Sequence, residues 1–311
     1  MKPLSPLLFA LLLGCGFPTP DPGPVIIPDD DDVSDDDDSA ADDDDAVGDD
    51  DDLANGPLRL WAVLNQTDLL GSGGVVSESQ RFAIASFGAG TALPFGSPGG
   101  LDGLHLAGSM LHPERAGELD LCEDLSSDDG VDPLPATLDV GATVSFVPSS
   151  AAATLVLPRT GGVYSLQEQG TLDTAVWSID VPGGSDWPPT TLSSAFTLPA
   201  PVTSPLPGPG NIGSLTTVQM RWQAESAPAG VEIVLFRWLT ANQTAWAAVR
   251  CLSTDDGEMF VPAALLAPGN GAIVVTLSRG SWTTTPIEVG GADAAPHLGA
   301  VHSVQYLLTP G

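Results

Sequence analysis

Four runs of four aspartates divide this chain into a stretch that cannot build a core and a stretch that can. They occupy 29–32, 35–38, 42–45 and 49–52, separated only by Val33-Ser34, Ser39-Ala40-Ala41 and Ala46-Val47-Gly48. Sixteen like charges with almost no apolar neighbours bury nothing and repel one another, so the segment is expected to be disordered and stretched. Just before it, Pro18-Thr19-Pro20-Asp21-Pro22-Gly23-Pro24 favours polyproline II and supports neither a helix nor a central strand. Fully extended, residues 16–52 would reach about 120 Å at roughly 3.3 Å per residue. Carboxylate oxygens attract hard cations, so weak, diffuse divalent-cation binding by the aspartate blocks is expected. The runs lack the alternating ligands, turn glycine and distal glutamate of an EF-hand loop, so no bound cofactor is expected.

Upstream, Lys2 precedes an apolar stretch from Leu7 to Leu13 that ends in Gly14-Cys15. A basic start, a short apolar core and a small residue at its end are the marks of a secretory signal. The stretch is too short for a spanning helix, which takes about 20 apolar residues. Leu12-Leu13-Gly14-Cys15 resembles the lipobox of bacterial lipoproteins. That resemblance implies a diacylglycerol thioether on Cys15, cleavage before it and acylation of the new amine. Several acyl chains anchor a protein stably where one does so only marginally. Gly16 stands where an aspartate would imply retention at the inner membrane, so the resemblance implies the outer membrane of the cell envelope. The aspartate blocks, together with Cys251, Asp255-Asp256-Gly257 and Pro262, also resemble lipoproteins of high-GC Gram-negative bacteria that join a lipobox to a β-rich body. This second likeness bears on address and implies no chemistry.

From Leu53 onward 23 acidic residues face eight arginines, a balance of about −15, and the chain's one lysine is Lys2. Such a surface is not expected to bind nucleic acid, and no lysine is left for a Schiff base or a phosphate-cradling loop. Thirty-five glycines and 29 prolines over the whole chain leave little room for long helices. Short apolar runs between turn residues predict an all-β body instead. Strands are expected at 59–64, 81–87, 142–147, 153–157, 163–166 and 175–181, then at 216–223, 231–239, 245–252, 272–278 and 301–308. Asp255-Asp256-Gly257 offers a tight hairpin turn, with glycine free to take positive φ, and 262–266 a short helical turn. Seven or so strands at the later spacing suggest an immunoglobulin-like or fibronectin-like sandwich. Pro199, Pro201, Pro205, Pro207 and Pro209 then mark a boundary between two β domains, the alternative being a long loop within one β structure. The expected organisation is a signal over 1–14, a tether over 15–56, a β-rich domain over 57–198, a linker over 199–213 and a sandwich-like domain over 214–311.

Few residues promise chemistry. With Cys15 lipidated, Cys122 and Cys251 make an even pair in an oxidising compartment, and a disulfide between them competes with two separate buried thiols. If formed and unstrained it would be worth about 4–5 kcal/mol, because the closed loop is long. His105 with His112 (and Glu114 beside it), and His297 with His302, are spaced seven and five apart, which matches no metal motif and leaves surface histidines as the simpler reading. No Gly-x-Ser-x-Gly elbow occurs, so no catalytic residue is assigned. Trp187 and Trp282 lie in loop-like sequence and are candidates for stacking on a ligand, whereas Trp61, Trp222, Trp238 and Trp246 fall in strand-like runs and read as core. The chain is therefore expected to be a non-enzymatic, membrane-anchored module whose partner is an envelope or extracellular protein or a glycan. A carbohydrate-binding adhesin-like module and a hydrolase with a scattered site are the alternatives.

Overall fold

A computed structural model describes residues 58–89, 120–124, 137–160, 162–212, 218–225, 230–238, 246–262 and 272–310. The expectations at Cys15, at the tether, at His105 and His112 and for the helical turn after Pro262 lie outside the described residues. Every regular element described is a β-strand: β1 Leu58–Leu70, β2 Val76–Ala89, β3 Leu121–Asp124, β4 Thr143–Pro148, β5 Leu155–Thr160, β6 Val163–Gln169, β7 Val176–Val181 and β8 Thr190–Thr197. The second half supplies β9 Gly210–Ile212, β10 Val218–Arg221, β11 Gly230–Trp238, β12 Trp246–Thr254, β13 Glu258–Val261, β14 Ile273–Thr283, β15 Ile287–Val289 and β16 Ala292–Pro310. No described helix is long and apolar enough to cross a membrane.

Most of these strands join one large mixed sheet in the order β3-β12-β11-β14-β16-β1-β2-β6-β5-β4-β7-β8, with β9 and β15 added along β16. Neighbours run antiparallel except at two places: β16 lies parallel to β9 and, more consequentially, to β1. That ladder runs without a break from Leu58 opposite Ala294 to Leu69 opposite Gln305. The hairpin of β1 and β2 turns through Gly71-Ser72-Gly73-Gly74, where Gly73 and Gly74 take φ values of 84° and 74°. Side chains at alternate positions of a strand share a face, which sorts β16 simply. Ala294, Leu298 and Ala300 enter a first core with Leu60, Ala62 and Leu64 of β1, Phe87 of β2, and Phe146, Trp177 and Phe196 from β4, β7 and β8. Val304, Tyr306 and Leu308, on the same face, enter a second core with Ile233, Leu235, Val249 and Val275. The separate ribbon of β10 and β13 closes that core with Val218, Met220, Met259 and Val261.

The turn at Asp255-Asp256-Gly257 differs from the expected hairpin. Gly257 does take positive φ, at 98°, but β12 pairs with β11 and β3 while β13 pairs with β10. The turn is therefore a corner that carries the chain from one sheet to the other. Its shape follows from Asp255, whose carboxylate accepts from Trp222 Nε1 at 2.7 Å and from Arg279 Nε and Nη2 at 2.7 and 3.1 Å. Arg279 spends its remaining donors on the carbonyls of Ala200, Pro201 and Gln223. One guanidinium thus ties β14, the corner, the exit of β10 and the proline-rich stretch 199–212, and Val202 of that stretch is itself buried in the second core. The Arg279 and Asp255 side chains are only 1% and 2% exposed.

Removing one partner of a buried pair strands the other charge, a loss of about 3–5 kcal/mol. The Arg279→Ala variant is expected to lose stability of that order in urea unfolding. A loss below about 1 kcal/mol, the ordinary worth of a surface pair, would contradict the burial seen here.

Candidate functional site

Between the two cores, on the face they share, the apolar sequence of β1 and β16 gives way to polar residues. Gln66 and Asp68 follow Leu64 at alternate positions, and His302 falls between Ala300 and Val304. All three are buried, at 6%, 8% and 6% exposure. Asp68 Oδ2 lies 3.0 Å from His302 Nε2. Its Oδ1 accepts from Ser79 Oγ at 2.7 Å and Gln66 Nε2 at 3.0 Å. Gln66 Oε1 accepts in turn from the Leu172 amide at 2.7 Å, fastening the chain that enters β7. Arg279 is the register neighbour of His302 on β14, so the seam continues into the Asp255 corner.

Burial pushes the Asp68 carboxyl upward, but the hydrogen bonds from His302, Ser79 and Gln66 outweigh it and hold the group below the usual carboxylate range. The arrangement contains the residue types of a hydrolytic triad in the wrong order. In a triad the histidine stands between serine and carboxylate and takes the serine proton. Here Ser79 and His302 both engage Asp68, one on each oxygen, so the histidine does not stand between serine and carboxylate. What this geometry does is orient: it fixes β1, β2 and β16 against one another and satisfies polar groups that would be costly to bury unpaired.

The residues singled out by sequence are scattered. Cys122 and Cys251 come together as a disulfide between directly opposed positions of β3 and β12. Trp187 is not exposed: it is 1% accessible in the first core, its ring edge-on to Phe87 with centroids 5.1 Å apart. The cause is local. Gly183-Gly184 lets the chain fold back so tightly that a Cβ at Gly184 would strike the Asp139 carbonyl. The Gly184 amide then bonds the Trp187 carbonyl and the ring turns inward. Trp282 sits half-buried on the opposite face of the sheet, tilted against Trp61 at 6.0 Å. Its ring lies flat over Gly299, where an added Cβ would come within 2.8 Å. Trp61, Trp177 and Trp222 are core, while of Trp238 and Trp246 only the backbone pairing is described. His297 and His302 stand on opposite faces of β16, so they share no ligand set. No group of three or more metal-ligating side chains occurs among the described residues.

Sequence reasoning passes over Gln66, Asp68 and Ser79 and takes His302 for a surface histidine, whereas it is buried. The available signal was a polar interruption, Asn65-Gln66-Thr67-Asp68, in a run that is otherwise apolar from Leu60 to Leu70. It looked like a strand end, whereas β1 continues through it.

Comparison with known proteins adds little. No family model matches the chain, and no curated protein does. Among solved structures it matches the mu-homology domain of yeast delta-COP-I in complex with a Dsl1 WxWxV peptide at 7% identity, covering 81% of this chain and 98% of that one. The TM-score is 0.23, too low to carry an argument about fold or function.

A carboxylate whose folded pKa is depressed stabilises the fold above its unfolded pKa, about 3.9, and that stability is lost as pH falls through the lower folded value. The Asp68→Asn variant is therefore expected to be less stable than the natural protein at pH 7, with the gap closing as pH falls below about 4. Urea unfolding of both proteins across that range reads it, and a gap independent of pH would contradict the ionised Asp68 described here.

Proposed function

We propose that this chain is an envelope lipoprotein, held at the outer membrane through lipid on Cys15, and that its β-body is a non-catalytic binding or structural module. On this reading the Pro/Asp-rich segment 15–56 is a spacer that repels itself and keeps the body clear of anionic headgroups. The observation that carries the reading is the Cys122–Cys251 disulfide, since such bonds persist in oxidising compartments and are rare in the cytosol. It supports export, the step that lipidation of Cys15 requires. The acidic surface, with no lysine beyond Lys2, favours a protein or glycan partner over nucleic acid.

A non-catalytic role is supported by the way the seam spends its polar groups. Ser79 and His302 are both committed to Asp68, and Asp68 and His302 are buried while Ser79 is half-buried. A sugar-binding reading has lost Trp187 to the core and rests on Trp282 alone. A sandwich of the immunoglobulin or fibronectin kind is proposed for the second core only, where the β10–β13 ribbon faces β11, β12 and β14. The parallel pairing of β1 with β16 lies outside such a pattern.

Intact mass measurement on protein purified from membranes tests the address. The expected product begins at Cys15 and carries the added mass of a diacylglyceryl thioether and an N-acyl chain, while Cys15→Ser remains unlipidated and leaves the membrane fraction. An unmodified Cys15 thiol on the natural protein would overturn the proposal.

A further inference from the structure

The Cys122–Cys251 bond joins two very unequal partners. Cys251 is fully buried in the second core, on a strand paired with β11 along its whole length, from Gly230 opposite Thr254 to Trp238 opposite Trp246. Cys122 is half-buried on β3, the last of the described strands at that end of the sheet, which pairs with β12 over four register positions. Leu121 beside it is 53% exposed. The chain enters β3 through Asp120 at φ 62°, a left-handed conformation that a non-glycine residue keeps only when its surroundings hold it. A side-chain tie at that entry is a long contact of 3.4 Å from Ser253 Oγ to Asp120 Oδ1. Among the described residues β3 is a four-residue strand paired on one side only, and the disulfide is its covalent tie to the buried strand β12.

We propose that this disulfide is a redox latch on β3, opened by a dithiol reductant while the rest of the sheet stays folded. A thiolate of the dithiol attacks Cys122 Sγ, the more accessible sulfur. The S–S bond breaks, and the Cys251 sulfur leaves with the bonding electrons and takes up a proton. The second thiolate of the dithiol then attacks the mixed disulfide and expels Cys122 as a thiolate, which is protonated in turn. The dithiol ends as a cyclic disulfide, having given two electrons. With β3 released, the N–H and C=O groups of Val249 to Leu252 that paired with it are freed. β12 itself is retained by β11, so the opening is local. The latch operates whether or not Cys15 carries lipid.

The test uses the full-length purified protein under native conditions with dithiothreitol as the probe, followed by N-ethylmaleimide and hydrogen–deuterium exchange read by mass spectrometry. Both cysteines are expected to become labelled. Amides of 120–124 and 249–254 should exchange at least about tenfold faster, with β1, β14 and β16 unchanged. The near-ultraviolet circular dichroism of the buried tryptophans should persist. Three results would overturn the latch: cysteines that stay unlabelled, labelled cysteines with 120–124 still protected, or exchange that rises across β1, β14 and β16 with loss of the tryptophan signal. The Cys122→Ser/Cys251→Ser variant should show the same local exchange without dithiol. If it does not fold, the measurement on the natural protein decides.

Discussion

The parallel ladder between β1 and β16 is the constraint on which the described body depends. Parallel neighbours cannot be joined by a tight turn, and here nearly the whole body lies in the connection, since Leu58 pairs with Ala294. The strands from β2 to β15 all lie within that connection. Once closed, the ladder brings the first and last described strands side by side in the middle of the sheet, with β2 beyond one and β14 beyond the other. The two hydrophobic cores then share strands rather than merely touching: β16 feeds Ala294, Leu298 and Ala300 into one and Val304, Tyr306 and Leu308 into the other.

This sharing explains why charge is buried where it is. Where the cores meet, a slip of one residue would turn each side chain of the strand to the other face. Asp68 with His302, and Arg279 with Asp255, make the alignment specific, because a shifted strand would leave these groups buried without partners. Buried ion pairs such as Arg279–Asp255 are weak sources of net stability compared with apolar replacements. Their role here is to fix which residues oppose one another. The Arg250–Glu232 pair on the other face, at 3.2 Å with both side chains wholly buried, serves the same end between β11 and β12.

The all-β character could be read in the sequence because it is local: alternation and turn residues mark 81–87 within β2, 142–147 within β4 and 272–278 within β14. What sets the topology is not local. Nothing in 59–64 announces a parallel partner near the other end of the chain, and polar residues at 65–68 hide the continuation of β1, since their partners Ser79, Leu172 and His302 are remote in sequence. The proline-rich stretch 199–212 looks like a spacer for the same reason; its anchors, Arg279 and the second core, are distant. Around Trp187, Pro188-Pro189 and two glycines suggest an open loop, and only the fold-back at Gly183-Gly184 turns its ring inward. The disulfide was legible as a possibility, from the number of cysteines alone. That it would fasten a four-residue edge strand was not.

If shared strands weld the two cores into one cooperative unit, native-state hydrogen exchange along β16 is the direct measure. The amides from Ala294 to Leu308 should exchange with one common opening free energy that matches the single unfolding transition of the whole body. Protection that breaks at His302, with the two halves of β16 opening at different free energies and unfolding in two separate transitions, would contradict the account.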